Sequence, residues 1–104
     1  LGGVAAAVVE AIKHIDPTRE VQIEYGDGLR ECKKMLMMAK AGKRNGYLLE
    51  GMACPGGCVA GAGTIQPVKQ SAVSVEQFKK AAPELSCTTS PYLNRLEEVE
   101  KKYQ

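Results

Sequence analysis

A strand–helix–strand pattern is the feature of this sequence that most restricts its fold. Residues 21–25, VQIEY, alternate as in a half-buried strand. A shorter and more apolar strand is expected at 46–52, GYLLEGM, after an intervening helical segment. Two strands joined by a helix within about thirty residues form a βαβ unit, whose strands are parallel and whose crossover is right-handed. The pattern therefore predicts an α/β fold built on a βαβ unit flanked by helices.

Helical periodicity surrounds this unit. A first helix is predicted from the apolar repeat Val4, Ala7, Val8, Ala11, Ile12 and Ile15, ending at Asp16-Pro17. In the second helix, Asp27 is the expected cap and Gly42 the expected stop. Its predicted inner face consists of Leu29, Cys32, Leu36 and Ala39.

The C-terminal segment, residues 72–104, is predicted to be helical. One short helix is expected at 74–82, with a Ser74/Gln77 capping box and Pro83 as its stop. Ser90-Pro91 is expected to open the last helix. Its predicted inward-facing residues are Leu93, Leu96, Val99 and Tyr103. Residues 60–71 form the least structured connection, and we expect 1–104 to make a single domain.

Composition narrows the class of protein. The 104 residues carry a net charge of +2, and acidic and basic side chains are interleaved, so neither nucleic acid nor a membrane is an expected partner. No apolar run reaches the ~18 residues of a spanning helix, and no signal peptide opens the chain. For the four cysteines we therefore expect free thiols, metal binding or redox chemistry rather than disulfides, in the reducing cytoplasm. The opening LGGVAAAVVEAI, without methionine or capping residue, suggests a fragment of a longer protein.

The segment EGMACPGGCVAGAGT, residues 50–64, combines two thiols with five glycines. It follows the second strand, and ligands of open parallel sheets bind beyond the carboxyl ends of the strands. Because glycine lets backbone approach a ligand closely, this loop predicts a bound group larger than an ordinary turn accommodates. Cys54 and Cys58 are the candidate ligands.

Several identities for that group can be compared. A phosphate loop would need lysine and Ser/Thr, and a thioredoxin-like pair would have two intervening residues, whereas this loop has three. Structural zinc and iron–sulfur clusters both take four ligands as a rule. The other candidates in the chain are Cys32, Cys87 and His14, none of them in a matching pair. The residues alone leave a cluster, zinc or a structural turn open.

The remaining candidate residues have ordinary structural interpretations. Cys32 is expected to pack as a small hydrophobe, and Met35, Met37 and Met38 as core filler or helix surface. His14 closes the first helix, where a cation suits the helix dipole. Glu50 is expected at an outward-facing edge position, because a buried carboxylate needs a partner.

EGMACPGGCVAGAG resembles the third cysteine motif of the iron-only (FeFe) hydrogenases, Glu-x-Met-Ala-Cys-x-Gly-Gly-Cys-x-x-Gly-x-Gly. The matching residues are Glu50, Met52, Ala53, Cys54, Gly56, Gly57, Cys58, Gly61 and Gly63. Weaker similarity extends over GGVAAAVVEAI and DGLRECKKMLMMAKAGKRNGYLLE. The resemblance implies the C-terminal portion of a hydrogenase catalytic domain.

The resemblance also implies a cofactor, the H-cluster, in which a 4Fe-4S cubane is joined to a two-iron subcluster carrying CO and CN. By position, Cys54 would ligate the cubane and Cys58 would bridge it to the two-iron unit. Met52 would pack near that unit, so Cys58 and Met52 are the expected catalytic residues. Gly56 and Gly57 would let the backbone close over the cluster.

The implied reaction is the reversible reduction of protons to H2, with a ferredoxin-like or other electron carrier as partner. The remaining cluster cysteines would come from the N-terminal remainder of the domain, so the fragment alone is expected to be inactive. GAGTIQP replaces the family's commoner ending and indicates a divergent subgroup. The alternatives are an iron–sulfur protein for H2 sensing, electron transfer or assembly, and a small zinc-binding or metal-free domain.

Overall fold

The computed structural model describes residues 2–104 as an α/β fold, with a two-stranded parallel sheet and four α-helices in that part of the chain. The elements are α1 Gly3–Ile15, β1 Gln22–Asp27, α2 Leu29–Lys40, β2 Tyr47–Met52, α3 Val68–Ala81 and α4 Leu96–Tyr103. Three short 3-10 turns occur at Cys58–Ala60, Cys87–Thr89 and Leu93–Arg95. The predicted α/β class is confirmed.

The sheet pairs β1 with β2 in parallel, and α2 is the crossover between them. Gln22 lies opposite Tyr47 at one end, and Asp27 lies opposite Met52 at the other. The backbone N–H of Gly28 donates to the Met52 carbonyl at 2.8 Å and extends the ladder past both strands. The two carboxyl ends therefore share one edge, and the cysteine loop leaves the sheet from this edge.

Helix α2 approaches the sheet closely at a pair of glycines. Gly26 and Gly51 are register partners, and a Cβ on Gly26 would lie 2.9 Å from the Cys32 Cα. The Cys32 thiol donates to the Gly26 carbonyl at 3.3 Å, so this cysteine fills the space that the glycines leave. Cys32 thus packs structurally, as expected of it.

The inner face of α2 differs in part from the predicted one. Met35 is 5% exposed, whereas Leu29 and Leu36 are 72% and 60% exposed. The least exposed residues of the helix are Cys32, Met35, Met38 and Ala39. Helix α2 contacts the sheet mainly through Cys32, which lies above the paired glycines. Met35, three residues later on the same face of the helix, is therefore buried.

Helix α1 ends where Asp16-Pro17 predicts. The Asp16 N–H donates to the Ile12 carbonyl at 2.8 Å, and the Asp16 carboxylate accepts from the hydroxyl of Thr18 at 2.7 Å and from its N–H at 3.1 Å. These two hydrogen bonds hold the pKa of the Asp16 carboxyl below its usual value, and the bond from the Thr18 hydroxyl has the larger effect. Within α1, Ala5 is buried against the rest of the fold at 2% exposure.

The predicted starts of the two C-terminal helices are wrong, whereas α3 ends at Ala81, just before the predicted stop at Pro83. Helix α3 begins at Val68, so residues 68–71 are helical and Ser74 lies inside the helix, where its hydroxyl donates to the Gln70 carbonyl at 3.1 Å. The Ser74/Gln77 capping box does not form. Helix α4 begins at Leu96, after a 3-10 turn, and the four residues predicted to face inward, Leu93, Leu96, Val99 and Tyr103, are exposed.

Among residues 2–104, no helix combines the length and the apolar character that crossing a membrane requires.

Candidate functional site

The cysteine loop begins with a tight turn over Cys54–Gly57. The Gly57 N–H donates to the Cys54 carbonyl at 2.9 Å, and Gly56 has a φ of 85°. Proline at the second position and a positive φ at the third define a type II β-turn, which favours glycine at that third position. The sequence Cys-Pro-Gly-Gly therefore favours this turn by its own proline and glycine, independently of any bound group.

A 3-10 turn, Cys58–Ala60, follows directly. The Ala60 N–H donates to the Gly57 carbonyl at 3.0 Å, and the Gly61 N–H donates to the Cys58 carbonyl at 3.1 Å. Cys54 and Cys58 are both exposed free thiols. Cys54 begins the first turn and Cys58 begins the second, so the separation of the two cysteines depends on the backbone of the Pro-Gly-Gly segment.

A cavity of about 580 Å³ lies beside this loop, between the start of α1 and the middle of α3. Its lining consists of Gly2, Gly3, Val4, Met52, Gly56, Gly57, Cys58, Val59, Ala72, Val75, Glu76 and Lys79. Four of the five residues proposed from the sequence, Met52, Gly56, Gly57 and Cys58, therefore border one space. Cys54 is absent from this lining.

The Cys54 sulfur lies next to Gly61. A Cβ built on Gly61 would lie 3.8 Å from the Cys54 Sγ and 3.2 Å from the Cys58 carbonyl oxygen. Gly61 has an ordinary negative φ of −70°, so backbone conformation does not require glycine here. A side chain here would instead crowd the Cys58 carbonyl oxygen, while its distance to the Cys54 sulfur would be that of an ordinary contact.

Glu50 is buried, at 6% exposure, which contradicts the outward-facing position expected for it. Its carboxylate accepts hydrogen bonds from the backbone N–H of Gly2 and from that of Ala5, the latter at 3.0 Å. These donors are the N–H of the N-cap residue and of the third helical residue, the two that a capping box satisfies. Glu50 thus caps α1 from β2, and its negative charge suits the helix dipole.

Asp27 does not cap α2, whose N-cap is Gly28 without a side-chain bond. Its carboxylate Oδ1 instead accepts from the Gly56 N–H at 2.9 Å, across 29 positions of sequence. The contact connects the end of β1 to the centre of the type II turn. Sequence reasoning missed this contact because Asp before a helix is a familiar capping signal, and nothing local indicates a distant partner.

Sequence reasoning also missed the wall that α3 contributes. Glu76 and Lys79 border the cavity, and their side-chain charges lie 3.8 Å apart. The only signal available was the helical spacing of Ala72, Val75, Glu76 and Lys79, which places them on one face once the helix is known to begin at Val68.

Within residues 2–104, no three His, Cys, Asp or Glu side chains are grouped closely enough to hold a metal ion. His14 lies 4.0 Å from Glu10, and Cys87 is an exposed thiol in the turn Cys87–Thr89. The described residues thus supply a pair of accessible thiols rather than a closed four-ligand set. Two cysteine ligands beside a glycine-walled space fit part of an iron–sulfur cluster, whose ligands are cysteine thiolates.

Residues 3–62 match the family model described as iron only hydrogenase large subunit, C-terminal domain. The chain belongs to this family. The match runs from the start of α1 through the cysteine loop, including Cys54 and Cys58, and stops before α3. The resemblance that the cysteine motif suggested is confirmed.

This member of the hydrogenase large-subunit family is also similar to a probable cytosolic Fe-S cluster assembly factor of Aedes aegypti. The two are 34% identical over 58 residues, which is 56% of this chain and 12% of that protein. The chain thus spans only a small part of that relative's length. No solved structure matches.

Proposed function

We propose that this chain supplies two thiolate ligands, Cys54 and Cys58, to an iron–sulfur centre of a hydrogenase-like protein. In its most specific form this centre is the H-cluster, which when bound provides the redox chemistry for the reversible reduction of protons to H2. The observation that supports the proposal is the shared cavity, bordered by Met52, Gly56, Gly57 and Cys58.

The two thiols differ in a way that agrees with different roles. Cys58 borders the cavity, whereas Cys54 is not among its lining residues and has its sulfur near Gly61. In the proposal, Cys54 would be a terminal ligand of the cubane, and Cys58, at the cavity, would bridge the cubane to the two-iron unit. Thiolate is the soft ligand that iron–sulfur clusters select. Met52, whose thioether is polarisable, borders the same cavity as the proposed catalytic Cys58.

The cluster ligands that this chain does not supply indicate its first proposed partner. Two thiols are half of an ordinary cluster's set, so the other cysteines come from an N-terminal remainder of the hydrogenase domain. In this proposal residues 1–104 are a single C-terminal portion of that domain, with the cluster-binding loop at 50–64 and a helical segment at 72–104. A ferredoxin-like or other carrier exchanges electrons, and H2 and protons are the reactants. A cytoplasmic location agrees with the word cytosolic in the relative's name.

A second candidate is an iron–sulfur protein that takes part in cluster assembly or electron transfer without H2 chemistry. The observation that favours it is the 34% identity to a probable Fe-S cluster assembly factor. In that case Cys54 and Cys58 hold a cluster, but no two-iron unit with CO and CN is present. The two candidates therefore make different spectroscopic predictions.

The test is to mature the complete polypeptide anaerobically, as wild type and as Cys54→Ser, Cys58→Ser and Cys87→Ser. Cys87 is a matched control because it is also an exposed free thiol but lies outside the loop. Iron content, the infrared bands of CO and CN, and H2 turnover are measured for each protein.

We expect Cys87→Ser to match the wild type in all three measurements. Cys58→Ser should lose the infrared bands and activity, because a serine oxygen is a poorer bridge between iron units. Cys54→Ser should lose activity but retain some altered cubane. Full bands and turnover in Cys58→Ser would refute its bridging role. A cubane without bands in the wild type would favour the second candidate, and no bound iron would reject both.

A further inference from the structure

Asp27 joins the end of β1 to the middle of the cysteine loop. In the type II turn Cys54–Gly57, the closing bond uses the Gly57 N–H and leaves the Gly56 N–H free of the turn. The Asp27 Oδ1 accepts a hydrogen bond from this Gly56 N–H at 2.9 Å. The carboxylate therefore contacts the segment that separates the two thiols.

A second set of contacts fixes the same junction. The Gly28 N–H donates to the Met52 carbonyl at 2.8 Å, just before Cys54 in the sequence. A Cβ on Gly28 would lie 3.2 Å from the Cγ of Pro55, and Gly28 has a φ of 89°. Residues 27 and 28 thus contact the loop both before Cys54 and after it.

We propose that Asp27 is a positioning residue for the thiol pair: its carboxylate fixes the turn between Cys54 and Cys58, and its negative charge lowers the reduction potential of a cluster bound there. This inference rests on the proposed cluster-binding function. It adds a residue to which the motif gives no role, because Asp27 lies 27 positions before Cys54.

Two physical effects of Asp27 act in the same direction. A negative charge beside a cluster stabilises its oxidised form, because reduction adds a further negative charge. The bond to Asp27 also occupies the Gly56 N–H, which is then not a donor to a cluster sulfur. Hydrogen bonds to the sulfurs and net charge are both determinants of cluster potential. Replacing Asp27 should therefore raise the potential.

The experiment compares Asp27→Asn, Asp27→Ala and the control Asp16→Asn in the complete polypeptide. Asp27→Asn retains an oxygen acceptor but removes the charge, whereas Asp27→Ala removes both. Asp16→Asn removes an equal charge at the far end of α1, where the carboxylate accepts hydrogen bonds from Thr18. Iron content, the cluster's reduction potential and the amide exchange rate of Gly56 in the cluster-free protein are measured.

We expect Asp27→Asn to keep the wild-type iron content and to raise the reduction potential, and Asp16→Asn to change neither. Asp27→Ala should accelerate Gly56 exchange by about tenfold, as expected on losing a hydrogen bond to a charged group, and should lower the iron content. Because Asp27 is exposed, both variants are expected to fold.

Wild-type Gly56 exchange in Asp27→Ala, or a wild-type potential in Asp27→Asn, would overturn the inference. If the wild type still binds a cluster through Cys54 and Cys58, the proposed function stands in either case. If the wild type binds no iron, the proposed function fails and the charge effect fails with it. Gly56 exchange then decides whether Asp27 positions the turn.

Discussion

At the scale of single residues, a buried carboxylate is tolerated only when its oxygens receive hydrogen bonds, and Glu50 receives them from Gly2 and Ala5. Gly2, Gly3 and Val4 also border the cavity beside Cys58. Glu50 therefore holds in place the backbone at the start of α1, which forms one wall of this cavity. The stability of this wall and the shape of the candidate site depend on the same carboxylate.

We predict that Glu50→Ala lowers the free energy of unfolding by about 1–3 kcal/mol, because it leaves the Ala5 N–H without its acceptor. Glu50→Gln should cost less, since its amide oxygen still accepts one bond. Urea denaturation measures both. Glu20→Ala, at an exposed glutamate before β1, is the control and should change stability by less than about 0.5 kcal/mol. A loss no larger than that control would refute the capping role of Glu50.

The residues of the site differ in how far the sequence could predict them. Cys54, Gly56 and Cys58 belong to one contiguous motif, so their proximity follows from the chain itself. The hydrogen bonds of Asp27 and Glu50 reach partners 29 and 45 residues away, and only the assembled sheet brings these groups together. Local patterns instead suggested a helix cap for Asp27 and an exposed position for Glu50, and both expectations were wrong.

At the scale of elements, the βαβ unit was predictable because strand alternation and helix periodicity are local signals. Helix α3 was placed too late because Ser74 and Gln77 have the spacing of a capping box. A serine hydroxyl inside a helix can instead bond the carbonyl four residues earlier, and Ser74 bonds Gln70 in this way. The two interpretations of Ser74 lead to opposite expectations for its replacement.

We predict that Ser74→Ala leaves the protein as stable as the wild type or more so, by up to about 0.5 kcal/mol, because alanine has the higher helix propensity. Loss of a true N-cap serine would cost about 1 kcal/mol instead. Thermal or urea denaturation separates these outcomes. Ser86→Ala is a useful contrast, since the Ser86 hydroxyl accepts from the Thr88 N–H at 3.2 Å at the start of a turn. Destabilisation of both variants by similar amounts would contradict our assignment of Ser74.

At the scale of the whole molecule, little of the apolar surface is buried. The buried hydrophobic side chains among residues 2–104 are Ala5 and Met35, while Ile65 and Phe78 are 97% and 82% exposed. Large exposed apolar side chains continue along the C-terminal segment, at Leu85, Tyr92, Leu93, Leu96, Val99 and Tyr103. Sequence periodicity predicted that α4 is amphipathic, but periodicity does not show whether the apolar face of a helix packs against the same chain. In the described structure this face is exposed.

We predict that the 104 residues alone bind no complete cluster and do not turn over H2. They carry two accessible thiols in one loop, half of the usual ligand set, and the described residues group no third ligand with them. Anaerobic reconstitution with iron and sulfide, followed by iron counting and an H2 assay, is the measurement.

The same chain carrying both Cys54→Ser and Cys58→Ser gives the background of adventitious iron. Wild-type chain and double variant should both show no H2 turnover and far fewer than about four irons per chain, the content of a cubane. Four irons and H2 production by the wild-type chain alone would mean that it completes the centre itself, against the proposed need for an N-terminal remainder.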